Sequence, residues 1–225
     1  MAITYVGKSS TDLAAGNGIS GTTETVSLPS GLSENDIVIV LCTWRTYLST
    51  SGSDIFPAGY TELIVDESAN PDYAIAWARM GATPDTTVDI LGSRQTSGSG
   101  GAGACLVQAF SGVDTTTAVE VFSAVASGTS STIDPPSIDT LTNGAMVVAL
   151  GGLDDDSSVT VTSYSSGYTN GAFHNSSTPS AANCTSVMCS KIVATAGTED
   201  PGVITMSSSD GWEAHTLALK PASDG

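Results

Sequence analysis

Two histidines and a few carboxylates beside apolar runs are the residues of this chain best suited to acid–base chemistry. His174 falls in "AFHNSS", which reads as a loop, and His215 in the alternating run "GWEAHTLALK", which reads as a sheet face. A Ser-His-Asp triad converges in space rather than in sequence, so spacing leaves one open. No G-x-S-x-G elbow, however, marks any of the many serines as a nucleophile. Asp66, Glu67, Glu120 and Glu213 are acids of the kind a glycosidase pairs across a scissile bond, but carboxylates on strand faces are commonplace. "LDDDSS" places Asp154, Asp155 and Asp156 in succession, the densest anionic cluster and the candidate for a divalent cation. The D-x-[DN]-x-[DN]-G spacing of a calcium loop is absent, so a solvated loop without metal is expected.

Phosphate and thiol chemistry have even less support. "GSGGAG" (98–103) satisfies G-x-G-x-x-G but precedes a strand, whereas a dinucleotide site needs a helix N-terminus there. "AITYVGKSS" ends like a phosphate loop, yet Ala2 stands where the first glycine is required. Cys42 and Cys105 sit singly in apolar runs, Cys184 and Cys189 share "NCTSVMCS", and no CxxC occurs. Four free thiols, no metal and no cofactor are expected. Sugar recognition would use stacked rings. Trp44, Tyr47 and Tyr164, with His174, are the binding candidates, while Tyr60 and Tyr168 are expected to pack under turns.

The elements that must position these residues are strands. The chain has 225 residues, 40% of them hydrophobic and only 13% charged, with 24 glycines, a composition for short strands joined by many turns. "YAIAWARM" (73–80) puts Tyr73, Ile75, Trp77 and Arg79 on one face and Ala74, Ala76, Ala78 and Met80 on the other. "DIVIVLCTW" and "AMVVAL" are continuous apolar runs, as in strands covered on both faces. Six basic against 23 acidic residues give a charge of −17, which repels phosphate backbones and excludes nucleic acid as a partner. No apolar run reaches membrane-spanning length, and "MAITYVGKSS" lacks the features of a secretory leader.

The sequence also speaks twice. Val38 in "NDIVIVLCTW" and Val147 in "NGAMVVALGG" lie 109 apart, and the two Gly-Tyr-Thr turns, at Gly59 and Gly167, lie 108 apart. "ARMGAT" aligns with "SKIVAT", and "GAGACLVQAF" with "GWEAHTLALK" at an offset of 110 from Ala104 to Ala214. Each half reads as strand, Gly-Tyr-Thr turn, long strand, turn, strand and final strand. Four strands are too few to close a sandwich alone. The expectation is therefore one all-β domain over residues 1–225, a jelly-roll-like β-sandwich whose repeats span about 32–115 and 138–222 and face each other.

The phrases "VIVLCTW", "PAGYTELI", "AIAWARMGATPDTTVDI", "LVQAFSGVDTTTAVE", "PPSIDTLTNGAMVVAL" and "WEAHTLALKPA" resemble those of small β-sandwich proteins encoded by bacteriophages and prophages, and of related bacterial surface domains. The resemblance runs from about Ile3 to Ala222, and its motifs are structural, naming no catalytic residue. It implies a virion or cell-surface component: a head decoration or spike protein, a fibre, or an adhesin-like module. A sequence with no coiled-coil or collagen-like shaft and no signposted nucleophile narrows the expectation to a non-enzymatic capsid decoration or head-spike protein, assembled in the host cytoplasm and released by lysis. The implied partners are the major capsid protein or other virion proteins and further copies of the chain, a trimer before a dimer. Two other classes stay open. One is a carbohydrate- or receptor-binding module of a tail or head fibre that takes a host-surface glycan, and the other is an enzyme acting on surface polysaccharide.

Overall fold

The computed structural model describes residues 1–13, 23–45, 55–66, 71–91, 103–155, 159–176 and 183–223. The first strands are β1 (Thr4–Leu13), β2 (Thr23–Ser27), β3 (Ile37–Trp44), β4 (Tyr60–Asp66), β5 (Asp72–Arg79), β6 (Thr87–Leu91) and β7 (Gly103–Ser111). There follow β8 (Val119–Phe122), β9 (Ala126–Ile133), β10 (Ile138–Asp139), β11 (Ala145–Asp155) and β12 (Val161–Ser163). The chain closes with β13 (Thr169–Asn175), β14 (Asn183–Val193), β15 (Thr198–Glu199) and β16 (Ile204–Leu219). The described residues form no helix, and the architecture is a β-sandwich.

Two large antiparallel sheets make up the centre. The first has the order β1-β7-β3-β5-β4, and the second β12-β16-β11-β14-β13, with β8 and β9 also paired to β16. The sheets are wired alike: β7 lies between β1 and β3, and β16 lies between β9 and β11. Two ribbons, β2-β6 and β10-β15, stand apart from them.

Strand alternation decides what each face covers. Ile37, Ile39 and Leu41 point from β3 into one cluster with Met146, Val148 and Leu150 of β11 and Leu217 of β16, so this cluster joins the two sheets. Val38, Val40 and Cys42 point the other way and pack with Val26 of β2 and with Val88 and Ile90 of β6. Val147 and Ala149 likewise point outward and pack with Ile138 of β10. Every residue of β3 is buried. The ordering is thus ribbon, sheet, sheet, ribbon, with apolar layers between. The expected alternation of β5 holds, with Tyr73 and Ile75 in the inter-sheet cluster and Ala74, Ala76, Ala78 and Met80 in the outer one.

Turn chemistry sets the entry to matching strands. Tyr60 N donates to Pro57 O (3.2 Å) and Tyr168 N to Ser165 O (3.0 Å), each closing a four-residue turn. Gly59 and Gly167 hold the third position of these turns at φ 99° and 80°, where a side chain would be strained. Both tyrosine rings then pack inward beside the turn, Tyr60 onto the first outer cluster and Tyr168 into the second.

Two sequence expectations differ from the structure along β16 and β11. "GVITMS" and "GWEAHTLALK" belong to one sixteen-residue strand, β16, because Asp210 and Gly211 stay paired with Ser130 and Thr129 of β9, and the break between the two runs is a register irregularity between Thr205 and Asp210 instead of a turn. "LDDD" is not wholly a loop either. Asp154 and Asp155 continue β11 because β14 still pairs with them, at Cys184 and Asn183.

At one place the sheets approach too closely for any side chain. A Cβ on Gly152 of β11 would stand 2.9 Å from both Oγ1 and Cγ2 of Thr43 on β3. Gly152→Val is expected to destabilise the fold by about 1–3 kcal/mol through overpacking. Gly81→Ala, where nothing lies within 4 Å of the added carbon, is the matched control and should be close to neutral. Urea unfolding of the two variants checks this difference.

Candidate functional site

The middle of the inter-sheet layer is apolar, but polar side chains gather where β5, β11, β14 and β16 run on toward their ends. His215 and Glu213 leave β16 on the same side as Leu217, and Tyr73 leaves β5 toward them. Tyr73, His215 and Glu213 are 2%, 1% and 7% exposed. Fully buried Asp72 adjoins Tyr73 in the chain, and Asp66 pairs with Tyr73 in the β4–β5 register.

Hydrogen bonds fix the tautomer of the imidazole. His215 Nδ1 lies 3.2 Å from the Ser123 carbonyl, an acceptor only, so Nδ1 carries the proton. Nε2 is then left as acceptor for the Tyr73 hydroxyl. Phe122 stacks on the imidazole at 4.7 Å between centroids, 14° from parallel. Burial pushes His215 down to about 4, against the upward pull of the Ser123 carbonyl and Asp66. Glu213 is pushed up to about 7, first by burial and then by the charges of Asp66 and Asp72, with the Tyr73 hydroxyl opposing. Its Oε2 is buried and has no hydrogen-bond partner among the described residues, which further favours the neutral acid. Burial and the neighbouring carboxylates keep Tyr73 protonated far above its ordinary range.

A phenol, a neutral imidazole and a protonated carboxyl are the ingredients of a proton relay. Here they face one another across the seam between two sheets. Glu213 also lines a shallow groove with Ser127, Asp210 and Trp212, yet the His215 and Tyr73 side chains are enclosed. Tyr73 on β5 and His215 on β16 thereby tie the two sheets together.

Other polar pairs bridge the same seam. Thr43 Oγ1 donates to Ser186 Oγ (2.8 Å), which donates on to the Ala104 carbonyl (2.8 Å). Gln108 Nε2 donates to the Asn170 carbonyl (2.7 Å). Arg45, beyond β3, pairs with Asp154 of β11 at 3.3 Å.

The residues singled out from the sequence are scattered. Trp44 is 1% exposed, its ring against the position a Gly103 Cβ would occupy, and it presents no face to solvent. The Tyr164 ring lies over Gly171 of β13, and burial pushes its hydroxyl up to about 12. His174 sits in β13, not in a loop, because β14 pairs alongside it, and its Nε2 is 2.8 Å from Asp12 of β1. Asp154 is buried in its ion pair, whereas Asp155 pairs in register with Asn183. Tyr47, Glu67 and Asp156 lie outside the described residues. Among the described residues, no group of three or more His, Cys, Asp or Glu side chains is arranged to hold a metal ion. Sequence reasoning missed the Tyr73–His215 pairing, whose members are 142 residues apart. The available signal was that each occupies an inward position of a strand in opposite halves.

No family model matches the chain, and neither does any curated protein or solved structure.

The two displaced titrations pull against each other. Glu213 is neutral in the folded chain up to about pH 7 and in the unfolded chain only up to its ordinary 4.5. Its contribution is therefore fully present below 4.5 and lost as pH rises through 7. His215 stays neutral in the folded chain down to about 4, against an ordinary 6.5, so its contribution is present above 6.5 and lost as pH falls through 4. Glu213→Gln should leave only the second slope. The variant-minus-wild-type difference in thermal midpoint is expected to become more positive between about pH 5.5 and about pH 8. A difference that stays constant over that range would contradict a neutral Glu213.

Proposed function

We propose that this chain is a non-enzymatic structural protein of a bacteriophage virion, a capsid decoration or head-spike protein present in many copies. One observation carries the non-enzymatic part: Tyr73 and His215, the phenol and imidazole of the relay, are enclosed between the sheets, with His215 bonded to Tyr73 and to the Ser123 carbonyl. Enclosure gives them a structural use and leaves no room for a substrate at the relay. The virion part rests on the resemblance of the "FSGVDTTT" and "PPSIDTLTNGAMVVAL" phrases to phage-encoded β-sandwich proteins. The like wiring of the two large sheets supports reading residues 32–115 and 138–222 as related halves of one domain.

The surface suits an exposed lattice component. A charge of −17 opposes nonspecific association. The edge strands β4 and β13 both carry register irregularities against their partners, which discourages edge-to-edge growth. Contact with a capsid or a second copy has an apolar area available where the ends of the chain meet. Met1 N donates to the Ala222 carbonyl (2.7 Å) there, and Met1 and Ile192, 69% and 46% exposed, line a shallow groove with Pro221. Weak contacts of this kind become durable when many copies engage one lattice together.

Quantifying the chain against the major capsid protein in purified particles tests the reading. A copy number on the scale of the capsid lattice is expected. One or a few copies per particle, or polysaccharide cleavage abolished by Glu213→Gln, would overturn it in favour of a receptor-binding or enzymatic appendage.

A further inference from the structure

Cys42 and Cys105 stand directly opposite each other on the central strands β3 and β7. Their sulfur atoms are 3.1 Å apart and both residues are fully buried. We propose that this pair is a site of oxidative modification, closing to an intramolecular cross-strand disulfide when a peroxide is the oxidant. The proposal is independent of the functional reading above.

The geometry is favourable before any movement. Directly opposed residues of antiparallel strands have Cα atoms about 4.5–5.5 Å apart, within the range a disulfide spans. Opposed side chains also leave the sheet on the same face, and here both belong to the cluster between the first sheet and the β2-β6 ribbon. The sulfurs must approach by about 1 Å to reach bonding distance, which small side-chain rotations supply. Because the pair lies outside the inter-sheet cluster, closing it leaves the packing of the two large sheets in place. The remaining thiols are poorly placed to compete. Cys184 donates to the Thr43 carbonyl at 3.1 Å, and Cys189 lies in the outer cluster of the second sheet.

The chemistry balances in two steps. The thiolate of one cysteine attacks a peroxide oxygen, giving a sulfenic acid and hydroxide. The thiolate of the second attacks the sulfenic sulfur, forming the S–S bond and expelling hydroxide. The two released thiol protons convert both hydroxides to water, so hydrogen peroxide gains two electrons and the two thiols lose them. Burial and the neighbouring Cys105 raise the Cys42 thiol well above its ordinary range, so the reaction on the folded protein is slow and accelerates with pH.

The test uses the full chain, reduced and then incubated with hydrogen peroxide at mildly alkaline pH. Remaining thiols are alkylated after denaturation, followed by intact-mass measurement and peptide mapping. The expected result is two alkylated cysteines instead of four, a linked peptide joining Cys42 to Cys105, and a thermal midpoint raised by about 5 °C or more over the reduced protein. Cys105→Ala should abolish the linked peptide, and mapping the unmodified chain gives the answer without relying on that variant. Four alkylated cysteines after treatment, a bridge to Cys184 or Cys189, or sulfinic acid at Cys42 without a bridge would overturn the proposal. So would an unchanged or lowered midpoint in the bridged protein.

Discussion

Two strands with no polar face dictate the architecture. Ile37–Trp44 and the apolar part of Ala145–Asp155 carry buried side chains on both sides, so each large sheet needs two covers. One cover is the other large sheet and the second is a ribbon. At about 25 cal/mol per Å² of apolar surface, exposing either face of a central strand would outweigh any single polar interaction in the fold. Four layers follow from that constraint, and the two ribbons, short as they are, become necessary parts of the core.

The polar seam is a consequence of the same packing. Where the inter-sheet layer runs out of apolar side chains, the sheets are still close enough that Gly152 lies against Thr43. Polar groups trapped there must find partners, since an unmade buried hydrogen bond costs more than a made one contributes. Thr43 with Ser186, Gln108 with Asn170, and Tyr73 with His215 each span the two sheets. Each contact ties a position on one sheet to a position on the other. Glu213 is the one member of the relay that is incompletely partnered, and the neutral acid is the inexpensive solution.

The central layers were legible because strand period is a strong local signal: "DIVIVLCTW" and "YAIAWARM" state which faces are covered. Both Gly-Tyr-Thr turns were legible through the glycine that each positive φ demands. The β10-β15 ribbon was not, since its strands have two residues each and no periodicity to detect. Asp154 and His174 look like loop residues in the sequence because their neighbours are polar, whereas pairing with β14 keeps both in strands. Nor could the relay be seen: its members come together only when β5 meets β16 across the sandwich. Sequence spacing carries no record of such a meeting.

The central claim is that the two large sheets stand or fall as one unit because each hides the other's apolar face. Native-state hydrogen exchange on the intact chain tests it most directly. Amides of β3 and β11 should exchange only through a common opening, with the same free energy and the same denaturant dependence. If β3 exchanges through a lower-energy opening while β11 stays protected, or the reverse, the sheets are separable and the account is wrong.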